Sequence, residues 1–108
     1  MSGAGESVTR RWWRHLDRVA FRCPGCEMVH EVIVAGRGAW HWNASDDALT
    51  LAPSVLVRWK TPEPKVCHSF VRDGRIEFLG DCTHVLANRT VLLPPFADPY
   101  HLSRPASA

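Results

Sequence analysis

The stretch Cys67 to Thr90 reads CHSFVRDGRIEFLGDCTHVLANRT. Two short β-type runs, Ser69–Arg72 and Arg75–Leu79, flank Asp73-Gly74. An Asp-Gly pair between such runs predicts a type I′ hairpin turn, which needs positive φ at both central residues. With that pair as the loop, Arg72 faces Arg75, Val71 faces Ile76, Ser69 faces Phe78 and Cys67 faces Gly80. Side chains alternate along a strand. Cys67, Val71, Ile76 and Phe78 are therefore expected on one face, and His68, Phe70 and Leu79 on the other. The same register brings Cys67 and His68 to the open end of the hairpin, where Asp81, Cys82 and His84 follow.

The chain around this hairpin has 108 residues, enough for one domain with a modest core. A net charge of +2 by itself implies no acidic partner. No apolar run approaches the roughly 18 residues of a membrane span, and the N-terminus lacks the apolar stretch of a secretory signal. The chain is thus expected in the cytoplasm, where four cysteines favour metal over disulfides.

Residues 1–8 are expected to be disordered, 9–96 to form a single zinc-stabilised domain, and 97–108 to be a flexible tail. Thr9 can cap a short helix over Arg10–Arg18. That segment carries Arg10, Arg11, Arg14 and Arg18 beside Trp12 and Trp13. It reads either as an arm packed on the body or as a nucleic-acid arm, since Arg contacts phosphates and Trp stacks on bases. Further strands are expected at Val19–Arg22, His30–Ala35, Ala39–Asn43, Val55–Trp59 and Val91–Leu93, with Pro53 breaking the chain before Val55. Thr83 starts a single helical turn, His84–Ala87, and Asn88 suits its C-terminal end. The expected fold class is mainly β, a small β or α+β domain of five to seven short strands with a zinc-ribbon-like site.

Cys23-Pro24-Gly25-Cys26 has the spacing of a zinc knuckle, in which two thiolates take two corners of a tetrahedron. The other half of the site is expected from Cys67 and His84, with Cys82 and then His68 in reserve. Forty residues separate Cys26 from Cys67, more than in ordinary zinc fingers. Against zinc stand buried cysteines acting as small hydrophobes and a redox dithiol, which would need a helix after the motif. Deaminase and His-Glu-x-x-His metalloprotease patterns are absent. A nucleophile, base and orienter can be drawn only as Cys67 or Cys82 with His68 or His84 and Asp81. No catalytic residue is assigned from the sequence.

With these residues laid out, the chain resembles a family of small uncharacterised phage and prophage proteins (domain of unknown function 6527). The resembling stretches are Arg22–Cys26, Trp40–Asn43, Pro53–Val57 and above all Cys67–Leu93, within a match from about Trp12 to Pro95. Glu27, Ala44 and Asn88-Arg89 depart from the family at turns. The family commonly has Ser at the position of Cys82, which favours His84 as the ligand. Some relatives are encoded beside bacterial ubiquitin-like conjugation genes. The resemblance implies a small phage or prophage protein with no established activity, and that gene neighbourhood hints at an adaptor role. The function expected for the chain is a non-enzymatic, zinc-binding adaptor or modulator of a host or phage protein. Nucleic-acid binding through the arm is the first alternative, and a Cys/His hydrolase or transferase the second.

Overall fold

The computed structural model describes residues 10–60 and 62–100. Thr9, residues 1–8 and the end of the expected tail lie outside them. The described residues form eight strands and no helix: β1 (Trp13–His15), β2 (Arg18–Cys23), β3 (Met28–Ile33), β4 (His41–Trp42), β5 (Leu51–Trp59), β6 (Lys65–Arg72), β7 (Arg75–Phe78) and β8 (Thr90–Leu92). One sheet has the order β1-β2-β3 and the other β4-β5-β6-β7-β8, with every pairing antiparallel. The mainly β expectation holds, with one strand more than its upper bound.

The central hairpin forms in the expected register, with Arg72 opposite Arg75, Val71 opposite Ile76 and Ser69 opposite Phe78. Asp73 and Gly74 have φ of 51° and 78°, the left-handed values a type I′ turn requires. Cys67, Val71, Ile76 and Phe78 are all buried on the inner face. There they join Val19, Phe21 and Val32 from the smaller sheet and Leu49, Leu51, Val55 and Leu93 in one core cluster.

The expected helix over Arg10–Arg18 is instead a tight hairpin, with Trp13 opposite Ala20 and His15 opposite Arg18. Leu16 takes φ of 55° in its turn. Long-range contacts outweigh the weak preference of so short a helix. The Trp12 indole is buried, donates to the Ser45 carbonyl at 2.7 Å and meets Trp42 edge-on at 5.2 Å. The Trp13 indole donates to the Phe96 carbonyl at 2.8 Å. Helical geometry would not send these adjacent rings to two such separate partners.

Pro53 does not break β5. Leu51 pairs with Val71 and Val55 with Ser69, so Ala52, Pro53 and Ser54 together face Phe70 alone. This is a bulge, the place in a sheet interior where proline is tolerated. The Ala52–Pro53 peptide bond is cis.

Gly74 is held on three sides. Its N–H donates to the Leu49 carbonyl at 2.9 Å, and its carbonyl accepts from Leu93 at 3.0 Å. A Cβ there would stand 2.3 Å from the Asp47 carbonyl oxygen. Gly74→Val combines that clash with left-handed strain, so it should cost more than about 2 kcal/mol in chemical denaturation. Unchanged stability would contradict the turn assignment.

Candidate active site and metal centre

Strand β6 builds two sites because its successive side chains point opposite ways. Cys67 and Ser69 face the core at 1% exposure each, while the His68 side chain, 25% exposed, faces the other side. Beyond the end of β7 the chain returns along β6 and zips to it. The Leu79 N–H donates to the His68 carbonyl at 2.9 Å, and the Thr83 N–H to the Val66 carbonyl at 2.9 Å. The Thr83 hydroxyl accepts from the Val66 N–H at 3.1 Å. Between them, Cys82 Sγ accepts from the His68 N–H and donates to the His68 carbonyl, both at 3.2 Å.

This zipper aims Asp81 at the His68 ring. Asp81 Oδ2 lies 3.1 Å from Nδ1. On the other side of the ring, Ser54 Oγ lies 3.0 Å from Nε2. Ser54 reaches it from the β5 bulge, a device that re-aims side chains beside active sites. The hydroxyl, imidazole and carboxylate stand in the order of a nucleophile, its base and the group that orients the base.

The other face holds the candidate metal centre. Cys23 ends β2 and Cys26 lies in the turn before β3, closed by Glu27 N–H to the Cys23 carbonyl at 2.8 Å. Cys26 N–H approaches Cys23 Sγ at 3.4 Å, and Cys23 Sγ lies 3.7 Å from Cys67 Sγ. One donor atom from each of Cys23, Cys26, Cys67 and His84 falls within 4.8 Å of the others, a set that can hold a metal ion.

The surroundings fit such an ion. The His84 Nε2 is buried without a hydrogen-bond partner, an uncompensated cost unless something fills the cluster. The ring stacks edge-on against Phe78 at 4.5 Å and lies over Gly25, where a Cβ would meet it at 2.3 Å. Without an ion, the hydrogen bond from Cys67 draws the Cys23 thiol well below its usual range, aided by the nearby His30. That bond and burial push Cys67 up, and burial first, then the Cys23 charge, pushes Cys26 up to about 11. A cation bound there would favour the thiolate form of all three cysteines. A cavity of about 420 Å³ opens beside Cys26 and His84, lined also by Trp59, Pro64 and Val66.

Of the expected metal residues, Cys23, Cys26, Cys67 and His84 come together. The reserve ligands do not join them: Cys82 bonds the β6 backbone, and His68 lies between Ser54 and Asp81. Of the arm residues, Arg11 donates to the Leu93 carbonyl and Arg10 stacks over Trp12 and Trp13. Arg14 stacks over Trp42, and Arg18 pairs with Glu31. Of the residues drawn as a triad, His68 and Asp81 come together, and the side chain on the far side of the His68 ring is Ser54, not Cys67 or Cys82. No sequence motif marks Ser54. Its one signal is a proline inside an otherwise convincing strand, since that implies a bulge.

A family model for "Bacterial ubiquitination-like system serine protease (BubE)" matches residues 4–79. The chain belongs to the BubE family. The phage and prophage family expected from the sequence is corrected by this match, and the non-enzymatic adaptor is overturned with it. The hydrolase reading, placed last, fits the family better. Ser54 and His68 lie within the matched stretch, and Asp81 lies two residues beyond it. No curated protein and no solved structure significantly matches the chain. No helix among the described residues is long and apolar enough to cross a membrane.

Two measurements check the metal centre. Purified protein should carry one metal equivalent per chain, and Cys23→Ser should lose it and lower the thermal midpoint. Gly25→Ala should do the same without removing a ligand, because its methyl displaces the His84 ring. Cooperative folding of metal-free protein at an undiminished midpoint would refute the site.

Proposed function

We propose that this BubE-family protein is a serine protease in which Ser54 is the nucleophile, His68 the general base and Asp81 the orienting carboxylate. One observation carries the reading: Ser54 Oγ, the two ring nitrogens of His68 and Asp81 Oδ2 form a continuous hydrogen-bonded line with links of 3.0 and 3.1 Å. The family description supports the same chemistry.

In this reading the substrate is an amide bond in a protein of a ubiquitination-like system. Asp81 accepts the Nδ1–H of His68, which leaves the Nε2 lone pair facing Ser54. Ser54 Oγ attacks the carbonyl carbon as its proton passes to Nε2. When the C–N bond breaks, the His68 imidazolium gives that proton to the departing amine, leaving an acyl ester on Ser54. Water then gives its proton to Nε2 and its oxygen to the acyl carbon, which releases the carboxylic acid and restores the serine. Asp81 keeps the ring in one tautomer and stabilises its cationic form throughout.

Zinc is our choice for the metal, because three thiols and an imidazole with no open position make a structural zinc set. When bound, it ties β2 and the knuckle to β6 and the 81–84 segment, and so contributes to folding. The chemistry stays with Ser54, His68 and Asp81. The four free cysteines suit a reducing compartment such as the cytoplasm.

An alkyl fluorophosphonate should form one adduct, on Ser54, and none with Ser54→Ala. Asp81→Asn should slow the labelling by about 10⁴, as the same change of the orienting carboxylate does in triads of this kind. Labelling of another residue, or an undiminished rate in Asp81→Asn, would overturn the assignment. Cys82→Ala should slow labelling by up to about thirtyfold, by removing two hydrogen bonds worth about 1 kcal/mol each. Cys82→Ser, which keeps a donor and an acceptor, should restore most of the rate.

A further inference from the structure

The strand that carries the nucleophile has an open edge. β4 pairs with β5 only through His41 opposite Ala52 and Trp42 opposite Leu51. Beyond Ser54, β5 continues through Val55 to Trp59 with β6 on one side and no strand paired on the other among the described residues.

Which main-chain groups face that edge follows from β6. In an antiparallel pair, residues alternate between exchanging hydrogen bonds with the partner strand and directing them away. His68 gives its N–H and carbonyl to Cys82 and Leu79, and Val66 gives its own to Thr83, so both point away from β5. Their β5 partners are Leu56 and Arg58. These two must likewise point away from β6, into the open edge. No backbone partner is found for either among the described residues beyond the β6 pairing. Both are exposed, and Leu56 is 45% exposed directly opposite the catalytic His68.

We infer that the substrate binds as an extended polypeptide that adds a strand to the β5 edge, its main chain bonded to Leu56 and Arg58 and its scissile carbonyl at Ser54. This rests on the triad reading above. At about 3.3 Å per residue, Leu56 and Arg58 stand about 7 and 13 Å along the strand from Ser54, one and two pleats away. A peptide antiparallel to β5 exchanges two hydrogen bonds with each of them. The recognised chemistry is that of the backbone, so the substrate must present an unfolded segment such as a tail or linker. The other end of the open edge is set by Trp40, whose indole donates to the Pro53 carbonyl at 2.9 Å.

The test compares two probes on the zinc-loaded protein, an alkyl diphenyl phosphonate and a mixed-sequence tetrapeptidyl diphenyl phosphonate. The peptidyl probe should label Ser54 at least tenfold faster. Leu56→Pro removes an N–H that β6 does not use and should erase that advantage. Methylating the main-chain nitrogens of the probe should erase it with unaltered protein, which covers a variant that fails to fold. Equal rates for the two probes, or an advantage that survives N-methylation, would overturn the edge proposal while leaving the triad standing. No labelling of Ser54 by either probe would bring down the triad reading and this proposal with it.

Discussion

The structure depends on the zipper between β6 and the returning segment from Leu79 to His84. Every second residue of β6 offers its backbone to that segment, so Val66 and His68 are gripped while Cys67 and Ser69 turn inward. The strand's period of two then divides the adjacent Cys67 and His68 between two faces of one sheet. Cys67 enters the four-donor cluster and His68 enters the hydrogen-bonded line to Ser54 and Asp81. The returning segment divides in the same way, with Asp81 on the catalytic side and His84 on the metal side. A one-residue slip would exchange the faces and dismantle both sites at once.

That coupling would give an ion bound in the four-donor cluster a role that needs no contact with substrate. Cys67 and His84 are neighbours, in sequence or nearly so, of His68 and Asp81. Tying the first pair together fixes the spacing of the second. Cys82 adds a local clamp, since its thiol bridges the N–H and carbonyl of His68 itself. The small sheet contributes Cys23 and Cys26, so a bound ion would also join the two sheets where the core cluster joins them through Phe21 and Val32.

Much of this was legible in the residues. Asp73-Gly74 announced its turn, and the hairpin register followed by counting, because a type I′ loop leaves no freedom in pairing. The Cys-x-x-Cys knuckle and the choice of Cys67 with His84 named the four residues that converge. The first segment was misread because Trp12, Trp13 and Leu16 imitate helical spacing, whereas the tryptophans answer to the distant carbonyls of Ser45 and Phe96. Ser54 was invisible for a related reason. Its partners His68 and Asp81 lie 14 and 27 residues away, and its orientation comes from a bulge that Pro53 disguised as a break. A serine on a strand carries no local signature when the fold alone supplies the imidazole it faces.

Through Cys67 and His84, an ion bound in the four-donor cluster would hold His68 against Asp81. A long-range proton–nitrogen NMR spectrum of histidine-labelled protein, recorded before and after chelation, tests it most directly. In the metal-loaded protein, the His68 Nδ1 proton should appear at low field, as a hydrogen bond to a carboxylate requires, and it should vanish in Asp81→Asn. Removing the metal should abolish that signal. A His68 signal that persists unchanged after chelation would contradict the account.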